Sequence, residues 1–243
     1  MARAVGDLVA LAEAEADENL ELRQSWNVAP TTDVPVVLER LVDDSMSRRI
    51  EVARWGLIPS WAKDPSVGVR AFNARSETIT EKPTFRAAIK SKRCAVPVDG
   101  YYEWLKPDTP KGKKRPFYIH PSDGSMIFFA GLYEWWKDKS SEDEDAWVLS
   151  CSIMTMASPA EDDADPVLAE LGRLHDRIPV PLGAEALAEW LNPENKDAAA
   201  IVDLATSQAY DVAAQWTLQE VSSAVGNVRN NGPELIEPLA GLF

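Results

Sequence analysis

The chain has 243 residues, of which 45% are hydrophobic and 26% are charged, so it is neither a disordered, a fibrous nor a membrane-embedded protein. Its 25 Lys and Arg against 39 Asp and Glu give a net charge of −14, which over the whole chain predicts repulsion of nucleic acid and anionic lipid. Two cysteines and two histidines exclude a disulfide framework and a His–Cys zinc cluster, and neither a metal nor another cofactor is predicted.

The predicted elements begin with a short amphipathic helix over 8–19 and continue mainly as strands. The strands are rich in β-branched and aromatic residues and cover 34–42, 49–55, 93–98, 117–120, 126–135, 147–154 and 216–221. Two further helices are predicted late in the chain, over 184–191 and 196–205. Because alternating βα units are absent, we expect an α+β fold, a single domain over 1–243 built on a curved, barrel-like antiparallel sheet with flanking helices.

The charge is unevenly distributed along these elements. Residues 46–120 hold 16 Lys or Arg and seven Asp or Glu, a balance of +9, and the other residues hold 9 basic and 32 acidic ones, a balance of −23. Two interpretations stay open: basic and acidic segments that neutralise each other in the fold, or a positive groove for a polyanion. Loops are predicted at 107–114, 140–145 and 158–166.

The cysteines and the N-terminal residues indicate the cellular compartment of the protein. Cys94 and Cys151 lie in apolar, strand-like runs, so both are predicted to be reduced, buried thiols. The first residues lack the basic-then-apolar layout of a secretory signal, and no apolar run reaches the ~20 residues of a membrane span. We therefore expect a cytoplasmic protein without a membrane partner.

Four short stretches place polar and charged residues among apolar ones: 26–30 (WNVAP), 72–78 (FNARSET), 98–104 (VDGYYEW) and 174–179 (LHDRIP). In the third stretch, Glu103 lies between Tyr102 and Trp104. Desolvation by aromatic neighbours raises the pKa of a carboxyl towards the range in which it transfers protons near neutral pH. We therefore favour a functional Glu103 over a strand glutamate with an exposed side chain.

His175 and Asn73 have weaker signals of their own. Asp176 and Arg177 could orient the His175 ring and bind phosphate. Asn73 could orient an amine or a sugar oxygen through hydrogen bonds without titrating. From the residues alone, a structural histidine and a turn asparagine are the better interpretations.

Six motifs reverse that judgement because they occur together and in order: 27–30 (NVAP), 55–61 (WGLIPSW), 72–78, 99–104 (DGYYEW), 174–179 and 224–235 (AVGNVRNNGPEL). With them the chain resembles the SRAP (SOS response-associated peptidase) family, which recognises abasic sites in single-stranded DNA. The resemblance implies a single catalytic domain with the SRAP fold. We expect it to act as a monomer and to be associated with the nucleoid when bound to DNA.

The resemblance also implies a covalent mechanism. In the family, a cysteine after the initiator Met becomes the mature N-terminus, and removal of that Met is the source of the peptidase name. The α-amine attacks the ring-opened aldehyde of the abasic sugar to give an imine. The thiol then closes on the imine carbon, and the resulting thiazolidine is a stable DNA–protein crosslink.

Site residues follow from the same resemblance. It gives catalytic roles to Asn73, Glu103 and His175. It gives DNA contacts to Arg3, Asn27, Pro30, Trp61, Arg75, Arg86 and Arg177. Trp61 would wedge against a base exposed at the lesion, and Ala62 stands where the family often has a second aromatic residue.

The first residues depart from the family pattern, since the chain begins Met1-Ala2-Arg3 without a cysteine. Either the native start differs or this is a true variant. The nucleophile would be the α-amine of Met1, or of Ala2 after Met removal, with a pKa of about 7.7–8.0 that leaves a neutral fraction at physiological pH. We expect an imine with an abasic site but no thiazolidine.

Three other functions remain as alternatives. The chain could bind single-stranded DNA without chemistry, or act as a peptidase only on its own N-terminus. A peptidase for other proteins is the least favoured, because the sequence has no catalytic triad, metal motif or exposed nucleophile.

Overall fold

The computed structural model describes residues 4–107, 109, 112–143 and 145–239. The helices are α1 (Val5–Ala12), α2 (Pro166–Leu174), α3 (Ala184–Leu191), α4 (Ala198–Ser207) and α5 (Ala209–Ala213). The strands are β1 (Asp33–Val42), β2 (Ser45–Trp55), β3 (Asn73–Arg75), β4 (Arg93–Val98), β5 (Tyr101–Leu105), β6 (Arg115–Pro121), β7 (Ile127–Lys137), β8 (Trp147–Ala157), β9 (Arg177–Pro179) and β10 (Trp216–Glu220). Short 3₁₀ helices cover Pro65–Arg70, Ser76–Thr78, Ala88–Lys90, Ser223–Gly226 and Pro233–Ile236.

Most strands form one sheet, called the main sheet, in the order β2-β1-β4-β7-β8-β3, with β9 also paired to β8. The sheet closes on itself because β2 returns to β8, where Arg54 pairs with Ser150 and Trp55 with Cys151 in parallel. This short contact completes a ring of hydrogen bonds without making a true barrel. The predicted α+β fold with a curved, barrel-like sheet is confirmed, although β3 as well as β2 pairs with β8 in parallel rather than antiparallel.

A second, small sheet has the order β10-β6-β5 and is antiparallel throughout. Alternate residues of the main sheet enter two different cores, as the period of two along a strand requires. Val37 and Leu132 belong to the core shared with α1, α3 and α4, called the helix face. Val36 and Phe129 belong to the core shared with the small sheet and α2, called the small-sheet face.

The predicted helix over 8–19 is wrong beyond its first turns. Helix α1 ends at Ala12, and Glu13 has a left-handed backbone with φ 50°. The chain then turns to pair with β2, where the Glu15 amide donates to the carbonyl of Arg48 and the Glu15 carbonyl accepts from Ile50. This pairing with a strand, which local helix propensity does not reveal, ends the helix.

Other predictions are confirmed or refined locally. Helix α3 has the predicted bounds, and α4 begins after Asp197, whose side chain caps the amides of Ala199 and Ala200. The segment predicted as a loop up to residue 166 leads directly into α2, capped by Asp165. The predicted loops 107–114 and 140–145 lie partly outside the described residues.

Candidate active site

A cavity of about 720 Å³ lies between the small-sheet face of the main sheet and the small sheet. Six of the predicted site residues line this cavity, and they come from four motifs that are widely separated in the chain. They are Asn27, Pro30, Asn73, Glu103, His175 and Arg177. The fold therefore brings both the predicted catalytic residues and three predicted DNA contacts to one place.

Glu103 enters the cavity from β5, the strand that follows Gly100. A Cβ at Gly100 would lie 2.5 Å from the carbonyl oxygen of Ile119, so only glycine lets β5 approach β6 this closely. The Glu103 carboxylate accepts from the amide of Trp104 at 3.1 Å. Burial raises the pKa of Glu103 and outweighs the lowering by His175, as the sequence predicted. The carboxyl can therefore hold a proton at higher pH than an exposed glutamate.

His175 lies at the C-terminal end of α2. Its Nδ1 lies 3.1 Å from both the backbone amide nitrogen and the backbone carbonyl oxygen of Arg177, and 4.0 Å from Oε2 of Glu103. Asp176 is also close, with its Oδ1 3.3 Å from the same nitrogen. Within the described residues the hydrogen bonds of the ring are made at Nδ1, which leaves Nε2 to exchange a proton with a ligand.

Asn73 is the first residue of β3 and is exposed on the cavity wall. Its position depends on the preceding carbonyl, that of Phe72, which accepts from Nε1 of Trp55 at 2.8 Å and from the amide of Ile153 at 2.9 Å. Trp55 of the 55–61 motif thus helps to fix the position of Asn73 in the 72–78 motif through this hydrogen bond. Arg75 lies two residues further along β3 and is therefore on the same side of the strand as Asn73.

Asn27 has a structural role that the sequence did not indicate. Its carboxamide nitrogen donates to the carbonyls of Val225, Asn227 and Asn230 at 3.0, 3.2 and 3.1 Å. In return, Oδ1 of Asn231 accepts from the amide of Trp26 at 2.7 Å. These bonds join the segment around residue 27 to the segment 225–231, and both segments line the cavity.

The remaining predicted DNA contacts lie elsewhere. Trp61, Arg75 and Arg86 are exposed and do not line the cavity, and Trp61 is 61% exposed. The loop that carries Trp61 begins at Gly56, whose φ is +145° and whose backbone approaches that of Gly68 too closely for a Cβ. The predicted positions Met1, Ala2 and Arg3 lie outside the described residues.

Sequence reasoning missed two further residues around the cavity. Glu77 holds the Arg177 guanidinium with both carboxylate oxygens, at 3.0 and 2.9 Å. Arg23 is exposed and contributes a positive charge to the cavity wall. Glu77 stands inside the 72–78 motif, so the motif signalled it, whereas Arg23 belongs to no motif.

The cysteines are buried as predicted. Burial raises the pKa of Cys151 to about 12 and that of Cys94 well above its ordinary value, so neither thiol is an accessible nucleophile. Across 4–107, 109, 112–143 and 145–239, no three His, Cys, Asp or Glu side chains are grouped so that they could hold a metal ion. In the same part of the chain, every helix is too short or too polar to span a bilayer.

Comparison with known proteins adds independent findings. Residues 2–228 match the model of the SOS response associated peptidase (SRAP) family. The abasic site processing protein YoqW of Bacillus subtilis is 40% identical over 217 residues, which cover 89% of this chain and 87% of that protein. The abasic site processing protein HMCES of Mus musculus is 31% identical over 250 aligned positions, which cover 88% of this chain and 65% of that protein.

A solved structure agrees in fold. A crystal structure of a protein from Bacteroides thetaiotaomicron has a TM-score of 0.66 and 26% identity, and the match covers 86% of this chain and 82% of that one.

Proposed function

The chain belongs to the SOS response associated peptidase family, and from that premise we propose that it recognises abasic sites in single-stranded DNA and captures them covalently through an N-terminal amine. The observation that carries the proposal is the cavity, which Asn73, Glu103 and His175 line together. The names of the relatives, abasic site processing proteins, support the substrate. We also propose that residues 1–243 act as one monomeric SRAP domain in the cytoplasm, associated with the nucleoid through DNA.

The chemistry follows from the aldehyde of a ring-opened abasic sugar. A neutral α-amine adds to the carbonyl carbon and gives a carbinolamine. Protonated Glu103 donates its proton to the carbinolamine hydroxyl, water leaves, and an iminium ion remains, which returns its proton to the Glu103 carboxylate to give the imine. The raised pKa of Glu103 keeps a larger fraction of the carboxyl protonated for this step.

His175 and Asn73 have supporting roles in the same step. His175 accepts and returns a proton at Nε2 as the sugar ring opens, in the tautomer whose Nδ1–H donates to the carbonyl of Arg177. Asn73 orients a sugar oxygen by hydrogen bonding from the cavity wall. Without a thiol beside the amine, the imine stays open to hydrolysis and to β-elimination, which would cleave the strand.

The DNA strand is proposed to run across the exposed surface beside the cavity. Arg75 shares a side of β3 with Asn73, so it is suited to the phosphate next to the lesion. Arg86, Pro30 and Arg3 are proposed as further contacts, and Trp61 as a stacking surface for a neighbouring base. Part of the +9 balance of residues 46–120 is neutralised in the fold, because Arg48, Lys92 and Arg115 pair with glutamates outside that segment. The exposed side chains of Arg75 and Arg86 support a positive surface for this strand.

Borohydride trapping tests the proposal. The chain is incubated with single-stranded DNA containing one abasic site, with and without the reductant, and with a tetrahydrofuran analogue that lacks the aldehyde as control. We expect an adduct only with borohydride and only on the abasic strand. A heat-stable adduct without reductant would contradict the imine, and retained binding with no adduct under any condition would identify a non-covalent DNA-binding module.

The other alternative is peptidase activity confined to the chain's own N-terminus. Mass spectrometry of the purified protein measures whether Met1 is removed, and the Glu103→Gln variant shows whether removal needs the cavity. Removal that persists unchanged in this variant would assign it to a host enzyme.

A further inference from the structure

Asn73 and His175 approach the cavity from opposite edges of one strand. Strand β3 pairs with β8 in parallel, and Arg75 lies opposite Thr155. Strand β9 pairs with β8 in antiparallel fashion, and Pro179 lies opposite the same Thr155. One residue of β8 therefore has β3 on one edge and β9 on the other, and both flanking strands are only three residues long.

The Arg177 side chain connects these two edges. From β9 its Nη1 and Nη2 donate to the two carboxylate oxygens of Glu77, at 3.0 and 2.9 Å, and Glu77 stands two residues beyond the end of β3. On the way the guanidinium crosses β8, where Nη2 donates to the Thr155 carbonyl at 2.7 Å and Nε to its hydroxyl at 3.3 Å. Four of the five N–H groups of the guanidinium are thus bound.

The main chain of Arg177 holds the His175 ring. Its amide nitrogen and its carbonyl oxygen both lie 3.1 Å from Nδ1 of His175. Any shift of β9 that follows loss of the side-chain anchor therefore moves the main-chain groups that orient the imidazole. The Arg177 side chain is only 19% exposed, so its contacts with Thr155 and Glu77 are largely shielded from water, although Glu77 itself is 49% exposed.

We propose that Glu77 is a positioning residue, which acts through Arg177 to hold β3 and β9 together and to fix His175 relative to Asn73. A bidentate Arg–carboxylate pair has the fixed geometry that such a clamp needs. The competing role for Arg177 is a direct phosphate contact in which the phosphate replaces Glu77 on Nη1 and Nη2. The two roles differ in what happens when Glu77 loses its charge.

The test compares Glu77→Gln with Glu220→Gln. Glu220 forms a similar two-pronged pair with Arg115 outside the cavity, which makes it a matched control. Three quantities are measured: the rate of adduct formation at saturating abasic DNA, the affinity for undamaged single-stranded DNA, and the ¹⁵N signals of the histidine rings. The chain has only two histidines, and His120 is an internal reference because its Nδ1 contacts the carbonyl of Pro121 at 3.0 Å.

In Glu77→Gln we expect the rate to fall about tenfold, less than the roughly hundredfold that a 1 Å misplacement can cost, with DNA affinity unchanged. The His175 ring signals shift, while those of His120 stay in place. Glu77→Asp, which keeps the charge, restores part of the rate and of the His175 signals. Glu220→Gln matches the wild type in all three quantities.

Two results would overturn the proposal. One is tighter DNA binding by Glu77→Gln with unchanged His175 signals, which would mean that Arg177 is a phosphate ligand and Glu77 its competitor. The other is a rate and a His175 spectrum equal to those of the wild type. Only the rate measurement rests on the proposed function. If the wild type does not react with abasic DNA, the proposed function is wrong, and the ¹⁵N signals of His175 still decide the role of Glu77.

Discussion

The two faces of the main sheet contain opposite kinds of structure. On the helix face, Leu132, Met154 and Trp190 are fully buried, and the one large polar side chain among them, Arg93, donates to the carbonyls of Ile89, Trp190 and Asn195. On the small-sheet face a cavity remains, and Glu103 lies there with a raised pKa. The comparison teaches that the two faces of one sheet can differ in packing: helices cover a filled core on one face, whereas the small sheet and the segments around it leave a cavity on the other.

The largest effect is expected on the helix face. Trp190→Ala removes a side chain with 0% exposure whose Nε1 donates to the Cys94 carbonyl. Its loss is expected to lower the free energy of unfolding by about 3–5 kcal/mol, because a cavity forms and a carbonyl loses its donor. Urea unfolding measures this. If the two faces are separate, the reaction rate per folded molecule stays that of the wild type, and a large drop in that rate would break the comparison.

The corresponding experiment on the small-sheet face is Glu103→Gln, in which the reaction rate and the stability are both measured. We expect adduct formation to slow about a hundredfold, since a positioned general acid contributes at least that much. Stability should change in the opposite sense. Burial raises the pKa of Glu103, so the folded wild type is penalised once the carboxyl ionises, and the variant is more stable at pH 7.

That gain has a defined pH dependence. It should vanish below pH about 4, the ordinary range of a glutamate pKa, where the wild-type carboxyl is protonated in both the folded and the unfolded state. Thermal unfolding of both proteins between pH 3.5 and 8 measures the difference. A variant that is less stable than the wild type at pH 7 would show that Glu103 also supports the fold.

An intermediate effect is expected at the rim of the cavity. Asn27→Asp replaces the donor to three carbonyls by a carboxylate that repels them. We expect a loss of about 2 kcal/mol, within the range for unsatisfied buried polar groups, and faster hydrogen exchange of residues 225–231. Asn19→Asp, at an exposed site, is the control. Unchanged exchange at 225–231 would mean that other contacts hold this wall.

The smallest effect belongs to a residue on neither face. Trp61 is 61% exposed, so Trp61→Ala should leave stability unchanged. If the indole stacks on a base, affinity for single-stranded DNA should fall about tenfold, equivalent to ~1.4 kcal/mol, within the range for one base–aromatic stack. Fluorescence anisotropy with a labelled oligonucleotide measures this. Trp147→Ala, at another exposed tryptophan, is the control.

The sequence predicted the long strands well because they have strong local signals, and residues of four of its motifs line one cavity. Strand β1 was predicted to within one residue, and Glu103 and His175 were assigned from the motifs that contain them. The prediction missed β5, which pairs with β6. It also missed β3 and β9, which are three residues long and exist only because β8 lies between them. Pairings of this kind depend on residues distant in the chain, so no local pattern reveals them.

The same reason explains the roles of Asn27 and Glu77. Both residues stand in motifs that the sequence singled out, yet their partners lie far along the chain: Val225 is 198 residues from Asn27, and Arg177 is 100 residues from Glu77. A motif indicates that a residue matters. Only the fold shows whether its side chain faces a ligand or another part of the protein.

The bond between Asn27 and the carbonyls near residue 225 has a consequence for biosynthesis. A chain leaves the ribosome N-terminus first, so every strand of the main sheet emerges before the segment that Asn27 binds. The wall of the cavity is therefore completed last, when the nascent chain is almost finished. A product that stops short of residue 225 would contain the strands of the main sheet and lack the carbonyls that Asn27 binds, so one wall of its cavity would be missing.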